Sequence, residues 1–96
     1  MVKKEFVIKN SIGLHARPAA MFVDLTSKFE SKIKIGFEET EVNAKSIISV
    51  LSLGLGKGDK FRVIIDGKDE KKAMSKLEDF IHDKLKGERK NRDDII

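Results

Sequence analysis

The amino-acid sequence predicts an α+β fold, an open-faced two-layer sandwich in which helices cover one face of a mostly antiparallel sheet. Two observations lead to this class. Short segments of alternating apolar and polar residues, typical of half-buried strands, are interspersed with segments whose apolar residues recur every three or four positions, typical of amphipathic helices. Their order along the chain is β-α-β-β-α-β-α, which suits two packed layers around one core.

The N-terminal part of the chain predicts a strand followed by a helix. Alternation over residues 4–8 predicts a strand whose Phe6 and Ile8 point inward. From about Ala16 the spacing becomes helical, and Pro18 falls in the first turn, where its missing N–H is not needed. The predicted core face of this helix consists of Ala19, Phe22, Val23 and Thr26.

The middle of the chain predicts a hairpin and then a short helix. Alternation over residues 33–37 and a shorter stretch at 40–42 indicate two strands joined by a tight turn at 38–39. Residues 43–53 are predicted to form a helix that ends at Gly54.

The C-terminal part predicts a fourth strand and the longest helix. Alternation over residues 61–65 indicates the strand, and Asp69 is a suitable N-cap for the helix. The predicted apolar stripe of that helix contains Ala73, Leu77, Phe80, Ile81 and Leu85. Gly87 is expected to end it.

The composition indicates one small domain. The chain has 96 residues, a net charge of +4 and no cysteine, which excludes disulfides, thiolate chemistry and cysteine-ligated zinc. No apolar run approaches the roughly 20 residues that span a bilayer, and no signal peptide is visible, so we expect a cytoplasmic protein without membrane insertion. We expect the domain to cover residues 1–88 and residues 89–96 to be a flexible tail, with no metal site or cofactor.

The clearest chemical signal is His15, in the segment GLHARPA at residues 13–19. It lies between a predicted strand and the start of a helix, where backbone N–H groups and the helix dipole favour an anion. Arg17 adds a forked donor that suits phosphate oxygens. Because neutral imidazole is a good nucleophile, one interpretation makes His15 a phosphoryl acceptor and Arg17 the group that holds the phosphate. The alternative is that His15 simply caps the helix.

Ser46 is a second candidate, near the start of the predicted short helix. One interpretation is an ordinary N-cap serine. The other is a phosphorylation site, since a phosphate is tolerated at a helix N-terminus and changes the local charge by about −1.5 to −2.

An exposed apolar patch is predicted beside these two residues. Val50 and Leu53 are expected to face the sheet, so that other apolar residues of the short helix point away from it. We define the apolar patch as Ala16, Ala20 and Met21 of the first helix together with Ile47, Ile48 and Leu51 of the short helix. If the two helices lie side by side, the patch is typical of a docking surface; the alternative is that these residues complete the core.

Two motifs together resemble the HPr family of the phosphoenolpyruvate:sugar phosphotransferase system. One is GLHARPA at 13–19, and the other is VNAKSII at 42–48 running into LSLG at 51–54. The resemblance covers about residues 1–88, and the βαββαβα order agrees with it. It implies a four-stranded antiparallel sheet of order 1-4-2-3 with three helices on one face.

The resemblance also implies roles for the candidate residues in a phosphocarrier that is not itself an enzyme. His15 would accept phosphate from enzyme I and pass it to sugar-specific IIA domains, while Arg17 would neutralise the phosphoryl group. Ser46 would be phosphorylated by an ATP-dependent HPr kinase/phosphorylase, as in Gram-positive-type members, and the product would bind a catabolite-control transcription regulator. The apolar patch, above all Ile47, Ile48 and Leu51, would contact these partners, and the protein is expected to be a monomer without direct nucleic-acid contact.

Two other classes of function are weaker interpretations. An RRM-like RNA-binding module shares the βαββαβ core and a positive charge, but it needs exposed aromatic residues on its central strands. Here Phe6, Phe37 and Phe61 lie on the inward side of the alternation, and the chain has no Tyr or Trp. A hydrolytic enzyme would need a nucleophile and an acidic partner near the histidine, and no such signature is present.

Overall fold

The computed structural model of the protein describes residues 1–10 and 13–84. In order, the elements of these residues are β1 (Val2–Val7), α1 (Ala16–Thr26), β2 (Lys32–Phe37), β3 (Thr40–Asn43), α2 (Ile47–Ser52), β4 (Lys60–Asp66) and α3 (Glu70–Lys84). The predicted βαββαβα order is confirmed. The predicted Leu85, the helix end at Gly87 and the tail at 89–96 lie outside the described residues.

The strands form one antiparallel sheet with the order β1-β4-β2-β3. The N-terminal strand therefore pairs with the last strand, with Val2 opposite Ile65, and Ile65 in turn lies opposite Ile33 of β2. At the other edge, Val42 of β3 lies opposite Ile35. The fold class, including the 1-4-2-3 strand order, is confirmed.

The helices cover one face of this sheet. Every second residue of the two central strands is buried on that face, namely Ile33 and Ile35 of β2 and Phe61, Val63 and Ile65 of β4. Helix α3 contacts β1 and β4, α2 contacts β3, and α1 contacts both of the other helices. The opposite face of the sheet is open and carries the alternate, mostly polar residues of each strand.

The predicted core faces of the long helices are confirmed. In α1, Val23 is partly buried against the core, and the fully buried residues are Ala19, Phe22 and Thr26. In α3, the buried residues include Ala73, Leu77 and Ile81. The ring of Phe80 lies 6.0 Å from that of Phe22, centroid to centroid, and joins the two helices.

The short helix begins later than predicted. Residues 43–46 were expected to be helical, but α2 starts at Ile47, so this part of the prediction is wrong. The Asn43 side-chain oxygen accepts a hydrogen bond from the N–H of Lys45 at 2.9 Å, and its carbonyl accepts one from Ser46 at 3.2 Å. These bonds give the backbone a turn instead of a helix. The N–H of Ala44 also bonds to Ile33 at 2.9 Å, which prolongs the sheet contact.

Asp69 precedes α3, as predicted, and its carbonyl accepts the N–H of Ala73 at 2.8 Å. Its carboxylate, however, bonds to the segment before β2. It accepts the N–H of Glu30 at 2.9 Å and the N–H of Ser31 at 3.0 Å, together with the Ser31 hydroxyl. The hydroxyl bond, and then the Glu30 bond, lower the pKa of Asp69 because they stabilise the charged form.

Candidate functional site

His15 occupies the N-cap position of α1. Its backbone is extended, with φ −93° and ψ −166°, and its carbonyl accepts the N–H of Ala19 at 2.9 Å. The imidazole makes no capping hydrogen bond and is exposed. The side chain therefore does not serve as a cap, and the alternative interpretation of His15 finds no support in the geometry.

A close approach between two loops fixes the backbone just before His15. The N–H of Leu14 donates to the carbonyl of Leu55 at 3.1 Å. Gly13 has a φ of +84°, and a Cβ at this position would lie 2.5 Å from the Leu55 oxygen and 2.8 Å from Gly56 Cα. Only glycine combines this backbone conformation with this contact.

The loop that contains Leu55 is itself fixed by Asp59, a residue that the sequence analysis did not single out. The Asp59 carboxylate accepts the N–H of Gly56 at 2.8 Å, and its carbonyl accepts the N–H of Ile8 at 3.0 Å. The N–H of Gly58 donates to the Ile8 carbonyl at 2.8 Å. The loop at 54–58 thus joins the end of β1 to the His15 segment. The sequence signal for this role of Asp59 is its position directly after a loop with three glycines, Gly54, Gly56 and Gly58.

The first turn of α1 is suited to an anion. The N–H groups of Ala16 and Arg17 have no partner within the helix, and Pro18 has no N–H to offer. The Arg17 side chain is exposed, and in residues 1–10 and 13–84 it forms no ion pair. The structure thus places an exposed imidazole, a cation without a carboxylate partner and the positive end of a helix dipole in three consecutive residues.

Ser46 is the N-cap of α2. Its hydroxyl oxygen accepts the N–H of Ser49 at 3.3 Å, and the residue is half-buried. The capping role is therefore present in the structure. Because the residue is only half-buried, modification of its hydroxyl is compatible with the fold, and that role stays a prediction.

The apolar patch lies outside the core, on two helices that contact each other. Ile48 is 78 % exposed and Ile47, Leu51 and Met21 are each more than one third exposed. Ala16 is exposed as well, while Ala20 is half-buried. Val50 and Leu53 turn toward the core as predicted, with Val50 buried and Leu53 partly buried. Docking at this patch stays a prediction.

Neither a metal-binding cluster nor a membrane-spanning helix is present in residues 1–10 and 13–84. These residues contain no group of three or more His, Cys, Asp or Glu that could hold a metal ion, and none of their helices has the length and apolarity to cross a membrane. The rings of Phe6 and Phe61 lie 5.6 Å apart, and Phe61 is buried. With these rings packed on the helical side, the sheet does not offer the exposed aromatic platform of an RNA-binding module.

Comparison with known proteins shows the family of this chain. The family model described as the PTS HPr component phosphorylation site matches residues 2–83. The chain belongs to the HPr family. It is thus a member of the phosphocarrier family of the phosphotransferase system, which confirms the resemblance seen in the two motifs.

Individual HPr-family relatives align over most of this chain. The HPr-like protein Crh of Halalkalibacterium halodurans is 44% identical over 81 residues, covering 84% of this chain and 96% of its own. Phosphocarrier protein HPr of Treponema pallidum is 39% identical over 88 residues, covering 92% of this chain and all of its own. A crystal structure of HPr from Thermoanaerobacter tengcongensis superimposes with a TM-score of 0.84 at 44% identity, covering 88% of this chain and 96% of that one. A second structure from that organism, described as an HPr dimer, superimposes with a TM-score of 0.71.

Proposed function

We propose that this HPr-family protein is a cytoplasmic phosphocarrier, not an enzyme, that accepts a phosphoryl group on His15 from enzyme I and passes it to sugar-specific IIA domains. The observation that carries the proposal is the exposed imidazole of His15 at the start of α1, free of any capping bond. Arg17, which has no ion-pair partner among the described residues, supplies the charge for the phosphoryl oxygens.

In the transfer, a nitrogen lone pair of the neutral imidazole attacks the phosphorus atom of the phosphorylated donor. The new N–P bond forms as the bond between phosphorus and the donor's leaving group breaks, and the leaving group keeps that electron pair. Family resemblance assigns the bond to Nδ1, with the ring proton on Nε2. The N–H groups of the first turn and the Arg17 guanidinium then hold the phosphoryl oxygens. Because His15 is exposed, the acceptor group of a IIA domain can reach the phosphorus atom. The N–P bond then breaks, and its electron pair returns to the imidazole.

Ser46 is proposed as the regulatory site. An HPr kinase/phosphorylase would transfer the γ-phosphoryl group of ATP to Ser46. The hydroxyl oxygen would form a bond to the γ-phosphorus and give its proton to a base of the kinase, while the bond from the γ-phosphorus to the bridging oxygen would break and ADP would leave with its electron pair. The phosphoserine dianion would then lie next to Ile47 and Ile48, where a charge opposes burial of the apolar patch against enzyme I. The same form would be bound by a catabolite-control transcription regulator. Support comes from the position of Ser46 at the start of α2 beside the exposed patch.

The protein is proposed to act as a monomer. A related HPr has been described as a dimer, so the state of this chain needs its own measurement. Sedimentation velocity over a hundredfold range of concentration is expected to give one species of the monomer mass. A concentration-dependent second species would contradict the proposal.

The carrier role is tested with phosphoenolpyruvate and active enzyme I. Wild-type protein is expected to gain acid-labile, base-stable phosphate, and His15→Ala none. His82→Ala is the matched control, because His82 is exposed on α3 and should leave labelling unchanged. Equal labelling of wild type and His15→Ala, or labelling of neither, would contradict the carrier role.

The regulatory role is tested separately with ATP and the kinase. Ser46→Ala is expected to lose all label, whereas Ser52→Ala, which alters an exposed serine of the same helix, should keep it. Label that survives in Ser46→Ala would overturn the Ser46 assignment without affecting that of His15.

A further inference from the structure

The open face of the sheet carries a cluster of lysines on the side of the sheet opposite to the helices. Lys3 of β1 lies opposite Ile64 of β4, and Ile64 lies opposite Lys34 of β2, so these three residues form one row across three strands. Lys32 precedes Lys34 by two positions and therefore shares its face. We call Lys3, Lys32 and Lys34 the lysine triad.

The triad surrounds a shallow hollow of about 370 Å³. Ile64, half-buried, is among its lining residues, and Glu41 and Asp66 also line it. The volume lies within the range of sites that hold small molecules, roughly 300–1,000 Å³. The hollow therefore combines an apolar element with charged side chains of both signs.

The carboxylates of the hollow already have cationic partners. The Glu41 carboxylate accepts a hydrogen bond from Nε of Arg62 at 3.3 Å, and the Asp66 carboxylate lies 3.8 Å from the amino group of Met1. Within residues 1–10 and 13–84, none of the triad lysines has a carboxylate within ion-pair distance. The amino group of Met1 is shared with Glu70, which lies closer at 3.1 Å, so one carboxylate charge remains beside the three ammonium groups of the triad. The lining of the hollow therefore keeps an excess of positive charge.

We propose that this hollow binds a small molecule that carries two linked phosphoryl groups. The backbones of Lys3 and Lys34 are two strand spacings apart, roughly 10 Å. Their long side chains can therefore converge from both sides on a ligand with two linked phosphoryl groups. An ammonium group is a compact charge that binds phosphate oxygens well. Single-stranded nucleic acid fits less well, because its binding sites stack bases on exposed aromatic rings, and Phe61 is buried on the other side of the sheet.

The test uses the full-length, ¹⁵N-labelled protein and inorganic pyrophosphate at low ionic strength. Saturable shifts are expected at the amides of Lys3, Lys34 and Ile64. The double variant Lys3→Gln/Lys34→Gln should weaken binding at least tenfold. The matched control is Lys28→Gln/Lys76→Gln, which removes the same charge from exposed lysines outside the hollow and should bind as wild type.

The spectrum of each variant without ligand shows whether the variant is folded. If the double variant is not folded, Lys34→Gln alone is tested instead, and it is expected to weaken binding about threefold or more. Equal loss of affinity in the two double variants would reduce the effect to net charge and overturn the proposal. Shifts confined to His15 and Arg17 would place the anion at the phosphocarrier site and also overturn it. Equal affinity for pyrophosphate and inorganic phosphate would also overturn the proposal. Binding of an oligonucleotide by a protein that does not bind pyrophosphate would overturn it as well.

Discussion

The carboxylate of Asp69 accepts hydrogen bonds from both the backbone N–H and the hydroxyl of Ser31, and so joins the start of α3 to the residue before β2. Ser31 is only 2% exposed, and its Cβ lies close enough to Gly67 that a Cβ there would meet it at 2.8 Å. The turn before α3 and the residue before β2 thus pack directly against each other and are joined by one acid. This junction has a consequence for stability at low pH.

We expect the Asp69–Ser31 pair to contribute to acid denaturation. The pKa of Asp69 is lowered in the folded state, chiefly by the Ser31 hydroxyl bond, from an ordinary value of 3.8. A lowered folded pKa gives stability that is present above 3.8 and is lost as the pH falls through the folded value. Ser31→Ala should therefore lower Tm by a few degrees at pH 7 and make Tm fall less between pH 4 and pH 2.

Thermal unfolding followed by circular dichroism at several pH values measures this effect. Ser75→Ala, at an exposed position of α3, is the control and should retain the wild-type profile. Part of the acid dependence should persist in Ser31→Ala, because the pKa of Glu70 is also lowered, mainly by the N–H of Gly67. Parallel Tm profiles for wild type and Ser31→Ala would contradict the role of this pair.

Gly13→Ala is expected to damage both stability and phosphoryl transfer. Gly13 and Gly54 both have positive φ, 84° and 62°, so alanine at either should cost about 1–2 kcal/mol. At Gly13 the new Cβ would also meet the Leu55 carbonyl at 2.5 Å, whereas at Gly54 nothing lies within 4 Å. Denaturant titration should show at least twice the loss for Gly13→Ala. Its labelling rate with enzyme I should fall at least tenfold, because the His15 backbone must shift, while Gly54→Ala stays within twofold.

Ser46 has a structural role that can be separated from the proposed regulatory one. Ser46→Ala removes the hydroxyl that accepts the Ser49 N–H and should destabilise the protein by roughly 0.5–2 kcal/mol without slowing transfer to His15. Ser46→Asp keeps an acceptor and adds a charge, so it should retain stability but slow phosphorylation by enzyme I. Paired denaturation and labelling measurements check this. Slow transfer in Ser46→Ala would assign the effect to the helix cap and not to charge.

Ile48 is expected to matter for binding and not for folding. It is 78% exposed, so Ile48→Thr should change the free energy of unfolding by no more than about 0.5 kcal/mol. Its affinity for enzyme I should fall severalfold if the apolar patch is the docking surface. Val7→Thr is the control, since Val7 is 38% exposed but lies on β1, outside the patch. Calorimetric titration with enzyme I distinguishes them, and equal affinity of both variants would exclude Ile48 from the interface.

The fold could be predicted well from the sequence because apolar periodicity reports burial directly. The stripe of α1 and the alternation of β4 both appear in the structure where expected. The start of α2 could not be predicted in this way, because Asn43 directs the backbone with its own side chain and leaves the apolar pattern unchanged. Asp69 shows the same limit: its position was predicted, but not its bonds to Ser31, which lies far away in the chain.

At the candidate site, the sequence singles out candidate residues but not the contacts that position them. His15, Arg17 and Ser46 are recognised by residue type and by their place near helix starts. The contact of Gly13 with Leu55 depends on two loops meeting in space, and no local pattern encodes it. The lysine triad was equally hidden, since Lys3 and Lys34 become neighbours of Ile64 only through the strand order.

The pairing of β1 with β4 also determines when this protein can finish folding. Val2 is synthesised well before its partner Ile65, which belongs to β4. Helix α1 and the β2–β3 hairpin can form from neighbouring residues, whereas the β1–β4 ladder must close a loop that contains nearly all the other elements. A nascent chain therefore carries an unpaired first strand until β4 has emerged. Pulsed hydrogen exchange during refolding should show the amides of β1 protected after those of the hairpin.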